Sequence, residues 1–389
     1  MKIEVRQATL KDAAAIGSFL EVVFPNLYRY PDRWEWLNLR NPFIPEGFGL
    51  PEWIAIQDGR VIGHTGAMLV PVKMTDNTLI AGWGVDIFVS SDARGLGIGK
   101  KLSKANQSAH ALTMNLEVTD LMRSIRKKLG AQEGPSVSLL YRSGRILPAP
   151  FSKAIGSALH RHCGIREQFW ESISKKAGLS QACCWIMGKI IRARQRQTIM
   201  ASGAPAVILE PVSRFDEQAD ALWASIRERY NFAVERTSAY LNWKYCDQPH
   251  MSHQCFYVRE KSGVQGILVM RLGESPEPPI GVICELYLSD PSRGKYAWIV
   301  EKAVAELKGQ GAGGVWVATA DADLELVLRE LGFFRLREQR MMLHADGVFD
   351  VDSIMQPALI GKGDHDWDQF PNMRQPSLRQ FIILAAGRR

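Results

Sequence analysis

The sequence predicts an α+β fold in which two mixed-sheet domains lie in tandem and are joined by a helical connector. Three observations support this prediction. Strand and helix patterns follow the order β, α, several β, α, β, α over roughly the first 145 residues. Glycines cluster between a strand and a helix at residues 94–99, a run that we call the glycine loop. Several short motifs then recur at an offset of roughly two hundred residues, as expected of a degenerate duplication.

The first domain opens with a strand and a helix. Residues 3–6 alternate as a strand, and an amphipathic helix follows over about residues 11–23, with Thr9 as its N-terminal cap. An antiparallel meander with a turn at Asp58-Gly59 comes next. Its predicted strands are residues 52–57, 61–70 and 72–75, and a further strand follows at 82–89.

The crossover that carries the glycine loop closes the first domain. After the loop, the pattern predicts a helix over about residues 97–112, a short strand near 114–118 and a second helix at about 120–129. Gly130 is suited to end this second helix in a left-handed conformation. The order of these elements implies one mixed sheet with a single crossover at the loop.

The duplication is inferred from paired motifs. Both halves contain an acid eight residues before Arg-Gly, a tryptophan six residues before a proline, a glycine in the meander and a Leu-Gly after the second helix. The pairs are Asp86 with Glu285, Trp36 with Trp243, Gly63 with Gly266, and Gly130 with Gly332. The resulting division is a first domain at 1–147, a basic helical connector at 148–204, a degenerate second domain at 205–346 and a C-terminal extension at 347–389.

The composition indicates an ordinary globular protein. With 389 residues, 46% of them hydrophobic and 23% charged, the chain is long enough for two or three domains. No stretch approaches about 18 uncharged apolar residues, and the N-terminus lacks the apolar run of a signal peptide. We therefore expect a cytoplasmic protein without a transmembrane segment. The six cysteines include no CxxC pair, so we expect reduced thiols and no metal site among them.

The connector carries much of the excess positive charge, which is +7 for the whole chain. Residues 182–197 place apolar side chains before a basic cluster, a pattern that fits an interdomain helix with a solvated basic end. Peripheral contact with an anionic membrane surface is the alternative. The basic residues are not interleaved with stacking aromatic residues, so we expect no nucleic-acid partner. The oligomeric state is not predicted.

The glycine loop has the features of an anion-binding site. A strand that delivers glycines to a helix start directs several backbone N–H groups to one point, where the helix dipole favours negative charge. Gly95, Gly97 and Gly99 allow the backbone to approach a phosphate closely, and Arg94 and Lys100 add positive charge. The expected ligand is a pyrophosphate or a similar group.

Two common phosphate-binding loops do not match. A nucleotide P-loop needs a hydroxyl residue after its lysine, whereas Lys100 is followed by Lys101. A Rossmann loop has the spacing Gly-x-Gly-x-x-Gly after a parallel strand. Here the second interval is different, and the strands before the loop form an antiparallel meander.

The run Arg94-Gly-Leu-Gly-Ile-Gly99 instead resembles the Arg/Gln-x-x-Gly-x-Gly/Ala motif of the GNAT acetyltransferase superfamily, in its usual place after the fourth strand. The resemblance covers about residues 1–145, and residues 205–345 resemble a GNAT unit that has drifted. It implies two GNAT-like domains and direct transfer of an acyl group from acetyl-CoA, or another acyl-CoA, to an amine. No metal is required for this reaction.

The resemblance also implies roles for individual residues. The backbone of the fourth strand would face the pantetheine arm, and the loop would hold the pyrophosphate. Asp86, on the same strand, would act as the general base, with a purely structural carboxylate as the alternative. The implied cofactor-binding residues are Ile87, Phe88, Val89, Arg94, Gly95, Leu96, Gly97, Ile98, Gly99 and Lys100.

Several positions depart from the family pattern. Arg126 replaces the tyrosine that usually protonates the leaving thiolate, so the general acid is unassigned. In the second domain, Tyr296 and Trp298 stand at the positions of Gly97 and Gly99. Because large side chains there would keep the backbone from closing around a phosphate, we expect this domain to have lost the cofactor and to shape the acceptor side.

Aromatic residues 28–36 lie where the family usually builds its acceptor pocket. Trp34, Trp36 and Arg40 are candidate substrate contacts, but we favour core packing for them because the tryptophan is repeated in the second half. Tyr141 is expected in the core rather than as a substitute acid.

These observations predict an acetyl-CoA-dependent N-acyltransferase that acts on a small-molecule amine. An amino sugar of cell-surface polysaccharide synthesis is the preferred acceptor, and aminoacyl and aminoglycoside acceptors stay open. The second hypothesis is a non-catalytic sensor or scaffold that binds acyl-CoA, because Arg126 replaces the usual tyrosine.

Overall fold

The computed structural model describes residues 3–24, 30–116, 118–143, 206–274, 278–345 and 350–366. We call residues 3–143 the N-terminal unit, residues 206–345 the C-terminal unit and residues 350–366 the C-terminal segment. The predicted connector at 148–204 and the predicted domain boundaries lie outside the described residues. Within the described ranges, no helix has both the length and the apolar character needed to cross a membrane.

The N-terminal unit contains the predicted elements in their predicted order, with one helix and one strand in addition. Its helices and strands are β1 (Glu4–Gln7), α1 (Ala13–Val23), α2 (Tyr30–Asn38), β2 (Glu52–Gln57), β3 (Arg60–Met74), β4 (Asn77–Val89), α3 (Ile98–Gln107), β5 (Leu112–Asn115), α4 (Asp120–Lys128) and β6 (Gln132–Ser143). The additional elements are α2 and β6. Thr9 forms a capping box with Asp12, as its predicted capping role requires. The two strands predicted at 61–70 and 72–75 are a single strand, because Pro71 continues the pairing of β3 with β4.

The C-terminal unit repeats much of this order. Its helices and strands are β7 (Ile208–Val212), α5 (Glu217–Ile226), β8 (Phe232–Val234), α6 (Ser238–Leu241), β9 (Gln254–Glu260), β10 (Gly263–Leu272), β11 (Ile280–Leu288), α7 (Arg293–Gly309), β12 (Gly314–Thr319), α8 (Ala322–Glu330) and β13 (Phe334–Ala345). Gly130 and Gly332, the paired helix stops, are both left-handed, with φ of 89° and 84°. The C-terminal segment adds β14 (Ala358–Leu359).

All described strands join one 14-stranded mixed sheet, which confirms the α+β class. Its main path runs β1-β2-β3-β4-β5-β13-β6-β12-β11-β10-β9-β7. The last strands of the two units are exchanged: β13 pairs with β5, β6 pairs with β12, and the two exchanged strands pair with each other. Each unit is therefore completed by a strand of the other, an arrangement that the sequence does not predict.

The repeated tryptophans meet where the two units join. Trp36 and Trp243 stack with ring centroids 4.7 Å apart and planes 13° apart. The indole N–H of Trp36 donates to the main-chain oxygen of Trp243 at 2.9 Å. Both side chains are buried in a hydrophobic cluster drawn from both units. The position of Trp36 thus agrees with core packing, which the sequence analysis favoured over a substrate contact.

The C-terminal segment lies between the units and contacts both. Strand β14 pairs with β8, which in turn pairs with β3 of the N-terminal unit. Further along, the N–H of Gly363 donates to the carbonyl of Cys284 on β11, and Gly361 forms a bridge with Thr319 on β12. The extension predicted from residue 347 onward therefore includes an integral part of the core.

We expect Trp36→Ala to lower the free energy of unfolding by about 3–5 kcal/mol, because it removes a buried aromatic ring and its stacking partner's contact. Trp36→Phe keeps a ring and should cost less, while still leaving the Trp243 carbonyl without its donor. Urea denaturation of the wild type and of both variants measures the free energies of unfolding. Equal losses for the two variants would contradict a role for the stacked ring.

Candidate functional site

A cleft of about 1000 Å³ opens where β4 and β5 part. The two strands pair in parallel only from Ala81 to Trp83 on β4, and β4 then continues to Val89 while β5 ends at Asn115. The second half of β4 is paired with β3 on its other side. Its edge toward the cleft thus presents main-chain groups to a ligand, as an open strand edge does.

The glycine loop lies at one end of this cleft. Gly95 and Gly97 have φ of 85° and 72°, and a Cβ on either would meet no atom within 4 Å. Gly97 is the N-cap of α3, and no side chain caps this helix. The amides of the first turn therefore face open space together with Arg94 and Lys100, which also line the cleft.

The corresponding helix start in the C-terminal unit is closed. The hydroxyl of Ser292 caps α7 by accepting from the N–H of Lys295 at 3.3 Å. Tyr296, at the position of Gly97, is buried, and its hydroxyl donates to Asp321 at 3.2 Å. The space between β11 and β12 is occupied by the C-terminal segment through Gly361 and its neighbours. These contacts give a physical reason to expect no cofactor there.

Asp86 occupies a bulge of β4. His64 pairs with Phe88 and Gly66 with Val85, so β4 has one more residue than β3 at this point. Asp86 takes a φ of 51°, which is unusual for a residue with a side chain, and it lines the cleft. Because of the extra residue, the side chain of Asp86 does not follow the regular alternation of side chains between the two faces of the sheet.

Arg33 holds the Asp86 carboxylate. The Nη1 atom of Arg33 donates to Oδ2 of Asp86 at 2.6 Å, and both side chains are largely buried, 1% and 8% exposed. The Nη2 atom of Arg33 lies 3.7 Å from Oδ2 of Asp366 in the C-terminal segment. One guanidinium thus ties a strand of the N-terminal unit to the C-terminal segment.

His365 and Asp366 complete this group. Nδ1 of His365 lies 2.5 Å from Oδ1 of Asp366, and both residues line the cleft. Burial alone would raise the pKa of Asp366, but the charges of His365, Arg33 and Lys244 outweigh it and hold the pKa below its usual range. Asp366 is therefore an anion at neutral pH.

The C-terminal unit contains a matching buried group. Glu285, the counterpart of Asp86, accepts from Nε and Nη2 of Arg236 at 3.2 Å, and Tyr245 donates to it at 3.0 Å. Arg236 also donates to Asp364 at 2.6 Å. Burial is the main reason why the pKa of Glu285 is raised to about 7. This group lies away from the cleft, so the repeated acid is structural there.

The cleft brings together nearly all residues that the sequence assigned to a site. It is lined by Asp86, Ile87, Phe88, Val89, Arg94, Gly95, Gly97, Ile98, Gly99 and Lys100. Leu96 is outside this lining and is 54% exposed. Their roles in binding and catalysis stay predictions. Trp34, which donates to Glu52, and Arg40, which pairs with Glu35, do not line the cleft. Tyr141 is buried against Trp316, as expected.

Many other cleft residues were not predicted. Those from the C-terminal unit and the C-terminal segment are Trp316, Arg337, Lys362, His365 and Asp366. Arg126, noted in the sequence only as a departure from a family pattern, also lines the cleft. The one available signal was the run Lys362 to Asp366, which gathers charged and imidazole side chains in an otherwise unexplained tail.

A family model and several solved structures match this chain. Residues 17–114 match the model described as the Acetyltransferase (GNAT) family. A search of curated proteins found no match.

The solved structures share the fold over both units. A GCN5-related N-acetyltransferase from Anabaena variabilis has a TM-score of 0.55 and 12% identity, covering 88% of this chain and 72% of its own. A conserved protein from Enterococcus faecalis, described as a probable N-acyltransferase, has a TM-score of 0.53 and 9% identity with the same coverage. An N-myristoyltransferase from Saccharomyces cerevisiae has a TM-score of 0.53 and 8% identity, covering 88% of this chain and 80% of its own.

We expect Asp366→Asn to lower stability at neutral pH by about 2 kcal/mol, because Arg33 and His365 lose their anionic partner. The folded-state pKa of Asp366 lies below the unfolded value of about 3.9, so its contribution is present above that value. It is lost as the pH falls through the folded-state pKa. Unfolding free energies of variant and wild type should therefore converge in acid. An unchanged difference between pH 7 and the acid limit would contradict the ion pairs, and the exposed Asp352→Asn serves as control.

Proposed function

We propose, from the match of residues 17–114 to the GNAT family model and from the shared fold, that this chain is a GNAT protein and an acetyl-CoA-dependent N-acyltransferase that acts on a primary amine of a small molecule. The observation that carries the proposal is the uncapped glycine turn at the start of α3 beside the open edge of β4. An amino sugar of cell-surface polysaccharide synthesis is the acceptor that we would test first.

The residues of the cleft fit an acyl-CoA. The left-handed Gly95 and Gly97 leave room for a pyrophosphate next to the amides of α3, and Arg94 and Lys100 balance its charge. Main-chain groups of Ile87 and Val89 on the open edge are suited to pair with the amides of the pantetheine arm. When bound, the cofactor supplies an activated acyl group as a thioester.

Asp86 is the proposed general base. An amine attacks a thioester only as the neutral free base, so a group in the cleft must accept a proton from the ammonium. Arg33 holds Oδ2 of Asp86, and Oδ1 has no hydrogen-bond partner within the described ranges. The carboxylate is therefore oriented and still able to accept a proton, directly or through water.

The C-terminal unit and the C-terminal segment form the proposed acceptor side. Trp316 and Arg337 of the former, and Lys362 and His365 of the latter, line the same cleft as the glycine loop. The capped start of α7 and the filled space beside β11 support one donor site per chain. Both units would thus contribute to a single reaction.

Acetyl-CoA should raise the melting temperature, because a ligand at about a hundred times its Kd adds roughly 2.7 kcal/mol to the folded state. Gly97→Trp should abolish this shift by filling the open turn. Gly59→Trp is the matched control, since Gly59 is also left-handed and open but lies in the turn between β2 and β3. A shift that persists in the Gly97 variant would remove the glycine loop from the binding site.

Asp86→Asn should lower kcat by about 10²–10⁴-fold with little effect on the melting shift produced by acetyl-CoA, because the base acts on the acceptor and not on the donor. Steady-state kinetics on an amine identified by screening measures this loss. Unchanged turnover would exclude Asp86 as the base. Binding of acetyl-CoA without turnover of any amine by the wild type would favour the acyl-CoA sensor.

A further inference from the structure

Arg126 is a buried cation for which the described residues supply no counter-charge. It lies in the last turn of α4, is 1% exposed and lines the cleft. Its Nε and Nη1 atoms have no hydrogen-bond partner, and no carboxylate pairs with it within the described part of the chain. Burying a guanidinium in this way costs several kcal/mol unless an anion compensates it. Such a residue is retained for a ligand more readily than for stability.

The guanidinium lies at the point where β4 and β5 separate. A Cβ on Gly84 would stand 3.2 Å from Nη2 of Arg126 and 2.2 Å from Oδ1 of Asn115, so both side chains cross over this glycine. Gly84 and Asn115 line the cleft as well. Arg126 is therefore at the closed end of the groove that begins at the glycine loop, which is the end where the acyl group and the acceptor would meet.

The nearby carboxylates are already engaged. Asp86 is paired with Arg33, and Asp366 lies against His365 and Arg33. The other charged side chain contributed by the C-terminal segment is Lys362, which is 3% exposed and lies 5.7 Å from the ring centre of Trp316. Among the described residues that line the cleft on this side, the cations Arg126, Arg337 and Lys362 therefore outnumber the carboxylates Asp86 and Asp366. Burial lowers the pKa of Arg126 to about 10, which still leaves it charged at neutral pH.

We infer that the acceptor is an amine that carries an anionic group, a carboxylate or a phosphate, and that Arg126 binds this group with Lys362 in support. The inference rests on the proposed function and narrows its acceptor class. A planar guanidinium binds either anion through two parallel N–H bonds, which gives it a geometric preference over a neutral hydroxyl. The Oδ1 atom of Asp86, which Arg33 does not hold, would face the ammonium group of the same molecule.

The other anion that forms in such a cleft is the thiolate released from the cofactor. A guanidinium that served only the thiolate would act on every acceptor alike, and it would affect kcat more than the binding of the amine. A guanidinium that binds the acceptor acts on anionic amines alone. Matched pairs of amines separate the two cases.

The experiment compares glucosamine 6-phosphate with glucosamine, and alanine with alanine amide, using the full-length protein in the presence of coenzyme A. Calorimetry measures the binding of each amine, and kinetics with acetyl-CoA measures KM and kcat. We expect the wild type to prefer an anionic member of a pair. Arg126→Met should weaken the binding of that member by about 10–100-fold and leave its neutral counterpart unchanged.

The control variants keep the result interpretable. Lys128→Met removes an exposed cation from the same helix. It should change neither the binding of the anionic amine nor that of its neutral counterpart. Arg126→Lys keeps the charge and should retain part of the preference. Melting shifts with acetyl-CoA report whether each variant is folded and binds its donor.

Three outcomes decide the matter. A preference for the anionic amine that is lost in Arg126→Met supports the inference, even if no amine is turned over and the proposed function fails. Equal binding within each pair, or no binding of either anionic amine, overturns it. A fall in kcat that is equal for both members of a pair, at unchanged KM, also overturns it and assigns Arg126 to the thiolate.

Discussion

The exchange of strands β6 and β13 is the constraint on which the rest of this structure depends. Strand β5 has only four residues and pairs with β4 over three of them, so the N-terminal unit cannot close its own sheet without β13. The same holds for β12, which pairs with β6. Each unit thus supplies a strand to the other, and one hydrophobic cluster contains residues from both units. The stacked Trp36 and Trp243 and the C-terminal segment then fill the space that the exchange creates.

The two units have similar topology, but they differ at the point where their parallel strands separate. This space is open in the N-terminal unit and filled in the C-terminal unit. Beside β4, the glycine loop leaves helix amides exposed to an open cleft. Beside β11, Ser292 caps the helix, and Gly363 donates to Cys284 from the chain's own C-terminal segment. A backbone edge that is not paired with a ligand must be paired with protein or water. The C-terminal unit satisfies its edge internally, whereas the second half of β4 in the N-terminal unit keeps an open edge among the described residues.

Local features could be predicted from the sequence because they depend on neighbouring residues. The turn at Asp58-Gly59, the cap at Thr9 and the left-handed stop at Gly130 follow from chemistry within a few positions. The glycine loop, at the proposed donor end of the cleft, was predictable for the same reason, because its features depend on neighbouring residues. Even the error in β3, where Pro71 suggested a break, is local: a proline that keeps its carbonyl can still accept from Glu235.

The proposed acceptor end could not be predicted, because its residues are far apart in the sequence. The contact of Arg33 with Asp86 spans 53 positions, and Asp366 comes from the far end of the chain. Nothing in the spacing of these residues indicates that they meet, because their approach depends on which strands pair across the centre of the sheet. The repeated tryptophan did mark this region, but as a core contact and not as a site.

The proposed division between a local donor site and an assembled acceptor site has a chemical consequence. The proposed donor end needs one fixed geometry, which a single strand, loop and helix can hold. The proposed acceptor end is lined by residues of α4, the C-terminal unit and the C-terminal segment, so its charges can change without altering the glycine loop. Among the described residues, no carboxylate offsets the cost of burying Arg126. The acceptor anion proposed above would offset that cost when it is bound.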